Sequence, residues 1–136
     1  RRPTTSATHE TKDEVIAMSD RITWISHKGK KILYANYGGL AEKEYLVALE
    51  ETQAEILKQP SGSNTLLLTD MTDTHITPAT RDKGKDMSVQ IRAAGKATSP
   101  AIVGITGVQK IIAQAIKRDA YFAKSVAEAK EHLASQ

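Results

Sequence analysis

The stretch Thr65-Leu-Leu-Leu-Thr-Asp-Met-Thr-Asp-Thr-His75 decides the fold, because an apolar run stops abruptly at Asp70 and continues as a polar loop. Three consecutive leucines leave no hydrophilic face, which is typical of a parallel strand covered by helices on both sides. We therefore predict a buried central strand over residues 65–69. The polar residues after it should form a loop at the carboxyl edge of the sheet, where open α/β sheets bind their ligands.

The residues before this strand predict a hairpin followed by a helix. Ile22–Ile25 and Lys31–Asn36 are rich in β-forming residues, and Gly29 between them can adopt the positive φ of a tight turn. A first long helix is expected over Ala41–Gln59, ahead of Pro60. Its large apolar residues at helical spacing are Leu46, Leu49, Ile56 and Leu57.

The residues after the polar loop alternate between helix and strand. A second helix is expected from Pro78 to about Lys96, because the Thr77 hydroxyl can cap free amides and proline fits the first helical position. An apolar strand is expected over Ala101–Ile105, and a third helix after Gly107. The strongest helical periodicity in the chain lies in this third helix, at Val108, Ile111, Ile112, Ala115 and Ile116.

The last residues predict a short strand at Tyr121-Phe122 and a terminal helix through about Ala134, which Ser125 and Glu128 open with capping-box spacing. The element order is then β-β-α-β-α-β-α-(β)-α. This order predicts an α/β fold with a mostly parallel sheet of four to five strands, an N-terminal antiparallel hairpin strand and about four helices.

A chain of 136 residues is long enough for one domain with its own core. We assign that domain to residues 21–136. The first 20 residues are predicted to be a flexible tail, because Arg1–Glu10 has few apolar residues. Thr11 and Glu14 have capping-box spacing, so a short helix is expected within the tail.

The composition excludes several classes of protein. The chain has no cysteine, which excludes disulfides, thiolate catalysis and cysteine metal sites. No apolar run approaches the roughly 18 residues of a membrane span, so we expect a soluble, cytoplasmic protein without a transmembrane segment. The net charge is only +3, and the aromatic residues do not interleave with the basic ones. We therefore expect no nucleic-acid partner.

Charge is distributed unevenly along the chain. Residues 77–118 contain eight Lys and Arg against two Asp, whereas residues 40–59 contain five Glu against two Lys. The basic residues of the second helix fall within about 60° of arc at 100° per residue. They are Arg81, Lys85, Arg92 and Lys96, beside the apolar residues Met87, Ile91 and Ala94. This stripe could face an acidic protein partner, an anionic lipid surface in peripheral contact, a second copy in a homodimer, or only solvent.

The polar loop contains residues that are able to do chemistry. Asp70, Asp73 and His75 place two carboxylates and an imidazole within six residues, a set that could bind a divalent cation or act in acid–base catalysis. Aspartate and threonine are also favoured turn residues. We prefer the turn-forming interpretation, so no metal, cofactor or enzymatic activity is predicted.

A second motif, Gly104-x-x-Gly107, precedes the third helix and could let backbone amides approach a nucleotide phosphate, with Lys110 nearby. It lacks the lysine and the remaining glycines of a P-loop. The alternative interpretation is that Gly107 serves only the turn from strand to helix.

Five stretches of the chain carry a family resemblance. They are Gly29-Lys-Lys-Ile-Leu33, Tyr37-Gly-Gly-Leu40, Leu66-Leu-Leu-Thr-Asp70-Met-Thr-Asp-Thr74, Ala101-Ile-Val-Gly-Ile-Thr-Gly-Val108 and Ser125-Val-Ala-Glu-Ala129. Together they resemble the SpoIIAA-like, or STAS-domain, proteins, and specifically the small bacterial STAS/CRAL-TRIO-like group. The resemblance spans about Arg21 to Leu133 and implies a SpoIIAA-like fold.

In the anti-sigma factor antagonists that define STAS domains, a phosphorylated serine within Asp-Ser-Ser-Gly opens the helix after the equivalent strand. Placing Asp70 on the aspartate that ends the family's strand brings this position near Thr80, without the Asp-Ser or Ser-Gly neighbours. Thr77 and Thr80 are therefore candidate phosphorylation sites beside Arg81. The alternative is that both threonines only cap the helix.

The leading hypothesis is a non-catalytic regulatory or protein-interaction module that uses the polar loop and the second helix. The predicted partner-binding residues are Asp70, Asp73, Thr77, Thr80, Arg81, Lys85, Arg92 and Lys96. The alternative is a small-ligand protein that binds a lipid or a nucleotide, since the related CRAL-TRIO fold holds lipids between sheet and helices. Met87, Ile91 and Val108 would then be wall residues. An enzyme that uses Asp70, Asp73 or His75 is the third hypothesis.

Overall fold

The computed structural model describes residues 20–116 and 119–136, so the predicted tail over 1–19, with its Thr11–Glu14 capping box, lies outside the described residues. The described part contains five strands and four helices in the order β-β-α-β-α-β-α-β-α. They are β1 Ile22–His27, β2 Lys30–Asn36, α1 Glu42–Leu57, β3 Asn64–Asp70, α2 Pro78–Ala93, β4 Ala97–Val103, α3 Gly107–Ile116, β5 Tyr121–Ala123 and α4 Val126–Ala134.

The strands form one sheet in the order β1-β2-β3-β4-β5, with β1 antiparallel to β2 and the other neighbours parallel. β3 is the central strand, as the leucine run predicts. The predicted α/β fold with a mostly parallel sheet, an N-terminal antiparallel hairpin strand and four helices is confirmed. This arrangement is consistent with a STAS-like fold.

Two helix layers cover the sheet, which explains why β3 has no hydrophilic face. Leu67 packs in the larger core cluster with residues of α1, α2 and α3. Leu66 and Leu68 point the other way and pack with Ala129 and Leu133 of α4. All three leucines are buried because successive side chains of a strand point to opposite faces.

The hairpin turn consists of Lys28 and Gly29, both with positive φ, at +51° and +80°. His27 then pairs directly with Lys30. Two central residues with positive φ are typical of the type I′ turn that joins two-residue hairpins. The tight turn predicted at Gly29 is confirmed, and the strands run further toward it than the sequence indicated.

β4 begins four residues earlier than predicted and includes Pro100. Proline cannot donate a ladder hydrogen bond, so it is normally confined to the edge of a sheet. β5 pairs only with Ala101–Val103, which leaves one side of β4 without a partner strand at Pro100. The proline is tolerated there because that side of β4 is a sheet edge.

α1 presents a different face to the core from the one predicted. Among the four predicted apolar residues, Leu49 and Ile56 are buried, but Leu57 is exposed and Leu46 is half-buried. Tyr45, Ala48 and Thr52 complete the buried face instead. Thr52 is accommodated because its hydroxyl donates to the Ala48 carbonyl and meets the Tyr37 hydroxyl at 2.5 Å.

α2 begins at Pro78 as predicted but ends at Ala93, before Lys96. Gly95 has φ +76° and donates to the Arg92 carbonyl, and the Lys96 amide donates to the Ile91 carbonyl. These two hydrogen bonds form a Schellman motif, which terminates a helix at glycine. Ala94 is exposed, so the predicted apolar side of this helix reduces to Met87 and Ile91.

Candidate functional site

The carboxyl edge of the sheet is held together by hydrogen bonds between loops. The Tyr37 amide donates to the Asp70 carbonyl at 2.9 Å, and the Gly39 amide donates to the Thr72 carbonyl at 3.0 Å. The Thr74 hydroxyl is buried and donates to the Tyr37 carbonyl. The loop after β3 is therefore fixed to the loop between β2 and α1, and acts as a rigid platform for the start of α2.

The carboxylate of Asp70 is used within this loop. Its Oδ1 accepts hydrogen bonds from the Thr72 amide at 3.0 Å and from the Thr72 hydroxyl at 2.6 Å. Asp73 and His75 are exposed, and Asp73 has a positive φ of +56°. Within residues 20–116 and 119–136, no group of three His, Cys, Asp or Glu could hold a metal ion.

Asp70 also lies on the opposite face of the sheet from the basic stripe. Along β3 it follows Leu68 at a two-residue interval, and Leu68 packs with α4. The pKa of Tyr34 is raised by burial and then by the negative charge of Asp70, which agrees with this placement. The structure therefore does not bring Asp70 together with the basic residues of α2.

Thr77 and Thr80 form a reciprocal cap at the start of α2. The Thr77 hydroxyl accepts from the Thr80 amide at 3.3 Å, and the Thr80 hydroxyl accepts from the Thr77 amide at 2.8 Å. Thr80 is only 1% exposed. A partner or a kinase cannot reach a buried hydroxyl, so we do not retain Thr80 as a surface contact. Thr77 is half-buried and stays a candidate.

The rotation of α2 is fixed by contacts on both of its sides. Toward α1, Lys83 pairs with Glu50 at 2.8 Å. Toward α3, a Cβ on Gly84 would lie 3.4 Å from Ile116. At 100° per residue, Arg81 and Lys85 fall about 60° and 100° from Gly84, on the side away from Lys83. They therefore lie on the α3 side of α2 and extend to its solvent face.

α3 carries an exposed apolar pair that the sequence placed in the core. Val108 is 71% exposed and Ile111 is 66% exposed. The buried residue of this helix is Ala113, with Ile112 and Ile116 packed partly against the core. Because Ile116 contacts α2 and Lys110 lies 5.2 Å from the Phe122 ring of β5, the helical wheel places Val108 and Ile111 toward the α2 side and solvent.

The basic residues Arg81 and Lys85 of α2 and the apolar pair of α3 thus lie on the adjoining sides of two helices that contact each other. We call the set Arg81, Lys85, Val108 and Ile111 the α2–α3 surface. The start of α3, at one end of this surface, adjoins the polar loop, because the Ile76 amide donates a hydrogen bond to the Gln109 side chain at 2.5 Å. Sequence reasoning missed Val108 and Ile111 as surface residues, because they continue the apolar stripe that Ile112 and Ile116 form on α3.

The remaining predicted partner residues, Arg92 and Lys96, lie at and just beyond the carboxyl end of α2. α2 has 16 residues and is about 24 Å long, so these residues are far from the polar loop. They line a cleft of about 450 Å³ together with residues of β4 and the end of α3. The predicted stripe is therefore divided between two sites.

A separate apolar cavity of about 90 Å³ lies between the sheet and the helices α1–α3. Met87 and Ile91 line it, as expected for the small-ligand hypothesis, but Val108 does not. The buried hydroxyls of Tyr37 and Tyr45 lie around it, and burial raises the pKa of both tyrosines. Both phenols are therefore neutral at physiological pH.

The glycines of the Gly104-x-x-Gly107 motif have separate local roles. Gly104 has φ +81°, and a Cβ on it would lie 2.3–2.8 Å from atoms of Thr72. Gly107 has φ +61° and is the first residue of α3. Lys110 faces the Phe122 ring rather than the start of the helix.

Comparison with protein-family models, with curated proteins and with solved structures gave no match to this chain. Among the helices of the described residues, none is long and apolar enough to cross a membrane. The site itself must therefore carry the functional argument.

Proposed function

We propose that this chain is a non-catalytic regulatory module of the SpoIIAA-like, STAS type, which binds an acidic protein partner through the α2–α3 surface. The observation that carries the proposal is the exposure of Val108 and Ile111 beside the basic residues of α2. A pair of branched apolar side chains at 71% and 66% exposure loses hydrophobic stabilisation that burial against a partner would recover.

The charges around this pair favour an acidic partner. Within the described residues, Arg81 forms its ion pair with the neighbouring Asp82, at 3.2 Å, and its side chain is 42% exposed. Across the described residues, no ion pair within 4 Å involves Lys85, which is exposed. An apolar centre with a charged rim is the usual composition of a transient protein interface. The rim charges would steer a partner of opposite sign and select against basic ones.

The regulatory part of the proposal rests on the family resemblance. The order of elements and the antiparallel hairpin strand are consistent with the STAS-like fold that the resemblance implies. The phosphoserine motif is replaced here, and Thr77 is the candidate residue that remains at the surface. A phosphate on Thr77 would lie at the amino terminus of α2, where the helix dipole favours negative charge.

Photo-crosslinking tests the proposed surface directly. A photoreactive amino acid is placed at Val108, and in a matched control at Val47, which is the exposed valine of α1. Each protein is irradiated in lysate of the cells that express this chain, and products are identified by mass spectrometry. We expect a product with an acidic protein at Val108 and none with that protein at Val47.

The charge contribution is tested on the same product with purified partner. Arg81→Glu combined with Lys85→Glu should weaken binding by at least about tenfold and reduce its salt dependence, because two rim charges are reversed. A partner that crosslinks equally at Val47, or binds this variant with unchanged salt dependence, would show that the surface is wrongly assigned. A crosslink only to a second copy would replace the acidic partner with a homodimer.

The small-ligand hypothesis is the second candidate, because the apolar cavity exists. Its volume of about 90 Å³ is below the roughly 150 Å³ of an engineered apolar cavity that binds benzene, so a lipid chain would require α2 or α3 to move. Native mass spectrometry of the purified protein tests this candidate. A bound apolar molecule that denaturation releases would support it, and a mass equal to that of the chain alone would leave the protein partner as the function.

A further inference from the structure

The cleft of about 450 Å³ lies at the carboxyl ends of α2 and α3, whereas the polar loop adjoins the amino terminus of α2. Its volume is within the range of small-molecule sites. It is bounded by the last turns of α2 and α3, by the first residues of β4, and by Asp119 before β5. The residues that line it are Ser88, Ile91, Arg92, Lys96, Ala97, Thr98, Ala115, Ile116 and Asp119.

One wall of the cleft is the edge of β4, which has no neighbouring strand there within residues 20–116 and 119–136. The Ala97 amide donates to the Ser63 carbonyl at 3.0 Å, and the Val103 carbonyl accepts from the Met71 amide at 2.8 Å, so the odd-numbered residues of β4 face β3. The backbone of Thr98 therefore faces the other way. β5 pairs only with Ala101–Val103 and does not reach Thr98. The Thr98 amide thus points toward the cleft side, where the described part of the chain provides no partner strand.

Among the described residues that line the cleft, the charges are positive overall. Arg92 and Lys96 contribute two cations, and Asp119 contributes one carboxylate. In the described part of the chain, none of the three takes part in an ion pair within 4 Å. The Schellman end of α2 fixes the backbone of Lys96 relative to Arg92, so both cations approach the cleft from a rigid corner.

The other lining residues are suited to an organic ligand. The half-buried Ile116 and the small accessible part of Ile91 add apolar surface to the lining. The Thr98 side chain and the Ser88 hydroxyl, which donates to the Gly84 carbonyl at 3.2 Å, add polar groups at the wall. Such a combination of an apolar surface with a few convergent polar groups is typical of ligand sites.

We infer that this cleft binds a small organic anion, a carboxylate or a phosphate monoester with an apolar body, whose charged group meets Arg92, Lys96 and the Thr98 amide. The inference is independent of the proposed function, because the α2–α3 surface uses other residues. A bidentate contact from Arg92 would provide the strongest hydrogen bonds. The apolar body would cover Ile91 and Ile116.

Two-dimensional NMR titration of the amide signals tests the inference with defined probes. Phenyl phosphate and benzoate are added separately, which distinguishes the two head groups. We expect saturable shifts at the amides of Ser88, Thr98, Ala115 and Asp119 for at least one probe at millimolar concentration. The double variant Arg92→Gln with Lys96→Gln should weaken that binding by at least about tenfold.

The matched control is Arg81→Gln with Lys85→Gln, which removes the same amount of charge at residues of α2 that do not line the cleft. It should bind the probe as tightly as the unmodified chain, while its affinity for the acidic partner falls. An unchanged dispersion of amide signals shows that each variant is folded. The inference is overturned if neither probe causes saturable shifts at these amides, or if both double variants weaken binding equally.

Discussion

At the scale of single residues, the contact between Gly104 and Thr72 joins two loops of the carboxyl edge. The backbone of Gly104 approaches so closely that a Cβ would lie 2.3 Å from the Thr72 hydroxyl and 2.7 Å from its amide nitrogen. That same hydroxyl and amide bind the Asp70 carboxylate. A side chain at 104 would therefore displace the turn on which the start of α2 depends.

Gly104→Ala should destabilise the protein by about 2–4 kcal/mol, because it combines a positive φ with overlap against backbone atoms. Urea unfolding of the purified protein measures the loss. Gly107→Ala is the matched control, since φ is +61° there but nothing lies within 4 Å of its Cβ. The control should lose only about 1–2 kcal/mol for the backbone conformation. Equal losses would mean that the Thr72 contact has no energetic role.

At the scale of elements, α2 contains one glycine, Gly84, at a position where the backbone conformation does not require glycine. Gly84 has ordinary helical φ, and a Cβ there would meet only Ile116 side-chain atoms at 3.4 and 4.0 Å. Gly84→Ala should therefore stabilise the protein by about 0.5–1 kcal/mol, through higher helix propensity. The measurement is the urea midpoint of the variant relative to the unmodified chain.

Gly95→Ala provides the contrasting control for this helix. Gly95 has φ +76° at the Schellman end, and a Cβ there would lie 3.0 Å from the Ser61 hydroxyl, so alanine should destabilise the protein. If Gly84→Ala is also destabilising, the space between Gly84 of α2 and Ile116 of α3 is too small for a methyl group, contrary to this prediction.

The sequence predicted where helices and strands lie more reliably than it predicted which faces are buried. In α1, counting large aliphatic residues selected Leu46 and Leu57, whereas the core takes Tyr45, Ala48 and Thr52. Alanine and threonine carry little weight in a hydrophobic pattern, although Thr52 is buried once its hydroxyl has local partners. The error rotated the predicted face by roughly a quarter turn.

The same limit applies to the candidate site. The apolar stripe of α3 was read as core because an isolated pattern does not reveal which side of α3 packs against α2. Val108 and Ile111 became visible as surface residues only after Ala113 and Ile116 were placed against the core. The sequence predicted the basic residues of α2. Their division between the α2–α3 surface and the cleft depends on Gly95, which ends the helix before Lys96.

At the scale of the whole molecule, residues from the two ends of the described chain meet at one ionic cluster. The Glu131 carboxylate of α4 accepts hydrogen bonds from Lys28 of the hairpin turn and from His27, the last residue of β1, at 2.6 Å each. These residues are more than 100 positions away in the sequence. The Lys30 ammonium donates to the Gln136 carbonyl at 2.9 Å in the same region. The hairpin turn and α4 are therefore coupled directly as well as through the sheet.

This cluster should make folding stability depend on pH. The hydrogen bonds from Lys28 and then from His27 lower the pKa of Glu131 below its ordinary value. A carboxyl whose pKa is lower in the folded state contributes stability above its unfolded pKa, and that contribution is lost as the pH falls through the folded pKa. Glu131→Gln should therefore unfold at lower urea concentration than the unmodified chain at neutral pH, and the difference should shrink as the pH falls through the folded pKa of Glu131.

The lowered pKa of Glu128, caused first by the Lys124 amide and then by the Tyr121 hydroxyl, adds acid sensitivity to both proteins and cancels in their difference. The specific control is Glu131→Gln in a background that carries Lys28→Met and His27→Gln. There the substitution should have little effect at neutral or acidic pH, because the groups that lower the pKa of Glu131 are gone. A pH-independent difference, or an effect of the same size in this background, would show that the cluster does not couple the hairpin turn to α4.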